Sequence, residues 1–229
     1  MARLILVVGG SGRTGRLIVQ KLQKAGYAVR VLTRSLKKAQ ALFDPTVDIV
    51  EGDLTQRRSV ETAMHGVESV IVAVESADSD DASNAPKQVH YQGMCTILAV
   101  AKKSTHIVLV TQIYMTRPNL YPEMSNIIAW RGKAEESVRV SELPYTIVRP
   151  AWLTDSSTNQ EIYIEQGDQG EGRVSREALA EVCVRALSHE ASRGKTFEIY
   201  SRTGTSSLDW SSTFASLQSD LKPNFNQAS

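Results

Sequence analysis

Two cysteines, Cys95 and Cys183, are all that 229 residues contain. That is too few for a disulfide framework or a cysteine zinc site. Both lie among apolar residues in stretches that read as helix, so both are expected as buried free thiols in a reducing compartment. No apolar run approaches the ~18 residues of a membrane span. The run Leu4 to Val8 is too short for a signal-peptide core and ends in glycines. Neither charge dominates: 26 Lys and Arg face 25 Asp and Glu, a net charge of +1. Such a balance leaves no footprint for nucleic acid and no strongly acidic substrate surface. There is no Asn-x-Ser/Thr sequon, no repeat and no linker. His65, His90, His106 and His189 show no i,i+4 pairing and no ligand set, so no metal is expected. The acidic loop with Asp78, Asp80 and Asp81 reads as a solvated segment, and no nucleophile-elbow motif is present. The expected setting is the cytosol, or an organellar stroma for a trimmed form.

What the chain does contain is a strict alternation of β-branched runs and amphipathic stretches. Strands are expected at Leu4–Val8, Ala28–Thr33, Val47–Glu51, Ser69–Val74, His106–Val110 and Tyr145–Arg149. Helices are expected at Gly12–Ala25, Ser35–Phe43, Arg57–His65, Val89–Lys103 and Ile127–Ser141. This order predicts an α/β fold with a mainly parallel sheet covered on both faces. The last third is less regular. It offers a short strand at Glu161–Glu165, a helix capped by Ser175, a final strand at Lys195–Tyr200, and a short helix at Leu208–Leu217 before a frayed end. One domain over residues 1–229 is expected, with a core over 1–150 and a smaller substrate-covering part over 151–229.

The strongest local signal joins the first strand to the first helix: Gly9, Gly10, Ser11, Gly12, Arg13, Thr14, Gly15. The first glycine of such a triplet permits a tight turn. The second lets the backbone approach a pyrophosphate, and the third lets helix and strand pack closely. The amides that open the helix then face the phosphates. This points to a doubly wound, Rossmann-type dinucleotide site. An acidic residue at the end of the second strand would hold the ribose hydroxyls of NAD. This chain has Arg34 there instead. A guanidinium grips a 2′-phosphate that a carboxylate would repel. NADP(H) is therefore the expected cofactor, with Arg13 and Lys38 as further positive charges. Asp53, before Leu54, is either an acceptor for the adenine amino group or a helix cap.

These segments, together with Val31 to Ser35, Glu51 to Leu54, His106 to Thr111, Lys133-Ala134-Glu135, Tyr145 to Pro150, Leu153-Thr154 and Val174-Ser175-Arg176, resemble the atypical short-chain dehydrogenase/reductase family. Within it, the chain resembles the NmrA-like, NAD(P)H-binding branch. The resemblance implies that Val74 and Glu75 lie by the cofactor ribose and Thr111 near the nicotinamide. It implies that Pro150, Ala151 and Trp152 present backbone to the carboxamide.

The wider family uses a Ser, a Tyr and a Lys, with the Tyr four residues before the Lys. The resemblance implies Lys133 for the Lys and Thr111 or Gln112 for the Ser. Position 129 is alanine, so the usual proton donor is missing. A ketone needs an acid to protonate its developing alkoxide. A quinone or flavin delocalises the charge and takes its proton from water. The expected function is thus NADPH-dependent reduction of a flat conjugated acceptor; Tyr114 and Tyr121 in the long loop are either a substitute acid or packing and pocket-lining residues. Tyr114, Met115, Trp130 and Trp152 are candidates for an apolar slot over the nicotinamide. The alternative is a non-catalytic NADP(H) redox sensor or assembly factor that acts through a protein partner. Neither reading calls for a membrane or a nucleic acid, and a monomer suffices for both.

Overall fold

The computed structural model describes residues 2–77, 84–156, 160–204 and 208–221. The acidic loop residues Asp78, Asp80 and Asp81, and the chain beyond 221, lie outside this set. The strands β1 (Leu4–Val8), β2 (Ala28–Thr33), β3 (Asp48–Glu51), β4 (Ser69–Val72), β5 (His106–Val110), β6 (Tyr145–Pro150), β8 (Gln160–Glu165) and β10 (Lys195–Thr203) form one sheet. Its order is β3-β2-β1-β4-β5-β6-β10-β8. Every pairing is parallel except β10 with β8. This is the expected Rossmann-type fold.

The helices are α1 (Arg13–Lys24), α2 (Leu36–Gln40), α3 (Arg57–Met64), α4 (Gly93–Val100), α5 (Ser125–Val140), α6 (Arg176–Ser188) and α7 (Trp210–Ser216). The period of two along β1 decides which layer each residue feeds. Ile5 and Val7 pack with Ile18, Val19 and Leu22 of α1 and with Leu179, Val182 and Cys183 of α6. Leu6 and Val8 pack with Val60 and Ala63 of α3, Met94 and Ile97 of α4, and Ala134 and Val138 of α5. Both faces of the sheet are thereby buried, which is why its strands read as unbroken apolar runs. The connections reverse direction between β1 and β4, and the crevice at such a switch point is where α/β sheets bind ligands.

Several boundaries differ from the sequence expectation. α2 is only five residues long, with the Ser35 hydroxyl accepting from the Lys38 amide. The helix expected over Val89–Lys103 begins as a wide π-helical segment, Lys87–Gln92, and continues as α4. A Cβ on Gly93, at the junction, would sit 2.6 Å from Leu54 Cδ2. Two three-residue strands, β7 (Trp152–Thr154) and β9 (Arg173–Ser175), pair in parallel as a separate small sheet. They are too short to announce themselves by alternation. The last third both extends the main sheet, through β10 and β8, and supplies this small sheet. Its described end is anchored: Asp220 accepts from the Thr196 amide and hydroxyl and from the Tyr145 hydroxyl.

Two histidines are buried in this frame. His106 opens β5 with Nε2 3.0 Å from Thr146 Oγ1. Burial, helped by the charges of Arg193 and Arg3, lowers its pKa to about 4. Burial and the charge of Arg131 lower that of His90 to about 3. In the unfolded chain both titrate near the ordinary value of 6.5. Between that value and the folded values the unfolded state binds more protons, so stability falls as the pH falls. The slope is at most about 1.4 kcal/mol per pH unit for each histidine. We expect the urea midpoint to drop from pH 6.5 towards pH 4, and His106→Gln to show a shallower drop. An equal slope in that variant would contradict the assignment.

Candidate functional site

β1 ends in the glycine turn. Gly9 adopts φ +87°, and a Cβ there would lie 2.2 Å from the Ala73 carbonyl oxygen. A Cβ on Gly15 would lie 2.1 Å from the Gly9 carbonyl oxygen. These positions therefore require glycine, for the turn and for the close approach of α1. Gly10 abuts Val31 of β2. The first bond of α1 runs from the Arg16 amide to the Gly12 carbonyl, 3.1 Å. The amides of Arg13, Thr14 and Gly15 precede it and lie where a helix attracts anions.

A cavity of about 500 Å³ begins at this turn, against Gly9, Ser11, Gly12, Arg13 and Thr14. It runs past Arg34, Lys38, Asp53 and Leu54 on one side and past Val74, Glu75, Thr111 and Arg131 on the other. Among the described residues neither Arg34 nor Lys38 has an acidic ion-pair partner. Asp53 lines the cavity while one of its oxygens accepts from both the Thr55 amide and hydroxyl, each 2.7 Å. It caps that turn; α3 starts later, after Gln56. A second cavity of about 390 Å³ adjoins the first. Gln112, Tyr114, Ile127, Pro150, Ala151 and Trp152 border it. Glu75, Thr111, Arg131, Leu153 and Arg176 border both.

The structure does not bring Lys133 to either cavity. Its side chain is exposed, with Nζ 4.4 Å from the centre of the Trp130 ring. Trp130 also lies outside both cavities, beside Tyr91 at 5.8 Å. The cation of α5 that faces the cleft is Arg131. Two residues along a helix is a turn of about 200°, so Arg131 and Lys133 look opposite ways. Arg131 is buried and donates to Glu75 Oε1 at 2.6 Å and to Gln112 Oε1. Four residues before it stands Ile127, which lines the second cavity. A signal for Arg131 did exist in the sequence: it falls on the same helical stripe as Ile128, Glu135 and Val138.

Behind the cleft lies a buried ionic network. Arg149 of β6 donates through Nε and Nη2 to the two oxygens of Glu135 on α5, at 2.9 and 2.5 Å. Thr111 donates its hydroxyl to the same carboxylate at 2.7 Å, and Arg139 adds a bond at 2.9 Å. Burial alone would raise the pKa of Glu135, but the bonds and charges of Arg149, Arg139 and Thr111 hold it below the usual carboxylate range. Arg149 also reaches Glu198 of β10, which accepts the amide of Asp168. Asp168, fully buried, accepts in turn from the amides of Tyr114 and Thr116, both at 2.7 Å, and from the Thr116 hydroxyl.

Tyr114 is held at φ +70°, the left-handed region that non-glycine residues rarely adopt. Its ring packs on Tyr121 at 4.5 Å and on Trp152 at 6.2 Å. Burial, with the neighbouring Tyr121, pushes its pKa up to about 12. Met115 lines neither cavity.

A family model described as NAD(P)H-binding matches residues 9–190. The chain belongs to the NAD(P)H-binding family. The resemblance to the atypical short-chain dehydrogenase/reductases is borne out at this level. Sanguinarine reductase of Eschscholzia californica is 28% identical, over 92% of this chain and 94% of that protein. Photosystem II assembly factor Ycf39 of Trieres chinensis is 24% identical, over 87% of this chain and 64% of that protein. A short-chain dehydrogenase/reductase of Veillonella parvula, solved in complex with NADP, superimposes with a TM-score of 0.71 at 19% identity. That match covers 87% of this chain and 95% of the other. In a Rossmann-type site the dinucleotide lies in a long groove with its pyrophosphate at a helix opening. The glycine turn and the larger cavity fit that arrangement. Among the described residues no group of three or more His, Cys, Asp or Glu is placed to hold a metal.

Removing one partner from the buried network leaves an uncompensated charge. Glu135→Ala is expected to cost about 3–5 kcal/mol in urea denaturation, because two arginines lose their carboxylate. A loss within about 1 kcal/mol would mean that water relieves those charges.

Proposed function

We propose that this protein is an NADPH-dependent reductase of a flat, conjugated acceptor such as a quinone or flavin. One observation carries the reading: the residue one turn before the cleft cation, where the wider family keeps its acid tyrosine, is Ile127, an apolar side chain in the wall of the second cavity. The Thr111 hydroxyl already donates to Glu135. The Tyr114 hydroxyl accepts from that of Tyr121 at 3.4 Å, and burial pushes its pKa up to about 12, which makes it a weak acid. An acceptor that spreads the incoming charge over a conjugated ring system dispenses with such a donor.

Bound NADPH supplies a hydride. The turn from Gly9 to Gly15 holds its pyrophosphate, Arg34 and Lys38 its 2′-phosphate, and Asp53 and Leu54 the adenine side. Val74, Glu75, Pro150, Ala151 and Trp152 flank the nicotinamide half. Tyr114, Trp152 and Ile127 give the second cavity the apolar walls a flat ring favours. Arg131, on the boundary of both cavities, stabilises negative charge developing on the acceptor. Glu75 and Gln112 hold its guanidinium in place. With its proton committed to Glu135, the Thr111 hydroxyl offers the cavity only an acceptor lone pair. In this reading Lys133 has no catalytic part.

A second reading is a non-catalytic NADP(H) sensor or assembly factor working through a protein partner. The same lack of a proton donor favours it, and the similarity to an assembly factor is compatible with it.

NADPH is expected to bind at least about tenfold more tightly than NADH, a difference of ~1.4 kcal/mol, with Arg34→Ala erasing the gap. Equal affinities for the two in the wild type would remove the Arg34 argument. With a panel of quinones and flavins, NADPH oxidation is expected above blank. Arg131→Met should slow it about tenfold or more and Lys133→Ala less than about twofold. No oxidation with any acceptor would favour the sensor reading.

A further inference from the structure

Arg176 is the first residue of α6, and its side chain is only 16% exposed. Only two cationic side chains among the described residues border both cavities: Arg131 and Arg176. Arg131 is committed to Glu75 and Gln112. Arg176 has a single ionic partner, Asp155, at 2.9 Å, and that carboxylate is 62% exposed. The other oxygen of Asp155 is bonded to Arg13, the first residue of α1. One exposed carboxylate thus bridges two guanidiniums that come from different helices and border the same groove. α6 is fastened to α1 by Lys21, whose ammonium lies 2.7 Å from Glu177 and 3.0 Å from Glu181. The Arg176 head is therefore kept close to the glycine turn.

Resting on the reading of the groove as an NADP(H) site, we propose that Arg176 is a phosphate ligand on the nicotinamide side of the pyrophosphate. Asp155 competes for it and yields to the phosphate. The argument is one of charge and exposure. An ion pair whose carboxylate faces solvent contributes little, so Asp155, 62% exposed, leaves into water at small cost. A pyrophosphate brings two negative charges where Asp155 brings one. Its oxygens match the fork of a guanidinium, which favours bidentate bonding. Arg34, Lys38 and Asp53 line the first cavity alone, whereas Arg176 borders both, so Arg176 and the 2′-phosphate pair recognise different parts of the dinucleotide.

The test is calorimetric titration of wild type, Arg176→Gln, Arg176→Lys and Asp155→Asn with two probes. NADPH carries the whole dinucleotide, whereas adenosine 2′,5′-bisphosphate lacks the nicotinamide half. We expect Arg176→Gln to bind NADPH at least about tenfold more weakly, ~1.4 kcal/mol, and the bisphosphate within about twofold of wild type. Arg176→Lys, which keeps the charge, should recover part of the loss. Asp155→Asn should bind NADPH about threefold or more tightly than wild type. The proposal is overturned if Arg176→Gln binds NADPH as wild type does, including the case where only an acceptor's KM rises. It is equally overturned if that variant loses both probes alike, or if Asp155→Asn binds NADPH no tighter. A wild type that binds neither probe defeats the cofactor reading itself, a result distinct from all of these.

Discussion

The buried pair of Glu135 and Arg149 is the constraint on which the second half of the molecule depends. Each ion would cost several kcal/mol to bury alone. The cost is offset because α5 and β6 deliver them in a two-bond geometry, with Arg139 and Thr111 completing the carboxylate's partners. From this pair the order extends outward. Glu198 brings β10 into it, Asp168 joins through its amide, and the Asp168 carboxylate then fixes the turn at Tyr114. The residue at the end of β5 and the loop that walls the second cavity are thus set by one ionic network. Their positions do not rest on the loop's own preferences.

The cofactor end of the site is governed differently. Its parts are close in sequence: a strand, three spaced glycines and a helix. The sterics at Gly9 and Gly15 are met within ten residues of chain and against the neighbouring Ala73 carbonyl. The alternating faces of β1 then bury the helices of both layers. This is why the succession of strands and helices and the parallel sheet were readable from pattern alone. The same holds for Arg34, whose place at the end of β2 follows from the strand's length.

What was not readable depended on rotation and on distance along the chain. Lys133 and Arg131 are two residues apart, and only the helix phase decides which meets the cleft. The apolar stripe of α5 carries that information, but two charged residues on it, Arg131 and Glu135, make the stripe look interrupted. Glu135 and Arg149 both fell within recognised motif segments, yet nothing in either segment says that they pair. Asp168 lies in a short glycine-containing stretch with no regular pattern of its own, while its partners sit 54 and 52 residues earlier. The strands β7 and β9 are three residues each, below the length at which alternation means anything.

The left-handed turn at Tyr114 and the left-handed residue Asp168 have a bearing on how such a protein diversifies. The wall of the second cavity is written in two distant places, around 114 and around 168. Neither segment specifies the wall by itself, since the carboxylate of one satisfies the amides of the other. A recombination breakpoint between them would join a loop to a turn that does not recognise it. The two stretches are therefore coupled, and a change of backbone in one needs a matching change in the other. Side-chain changes at Trp152, Ile127 or Gln112 reshape the same cavity without disturbing that match.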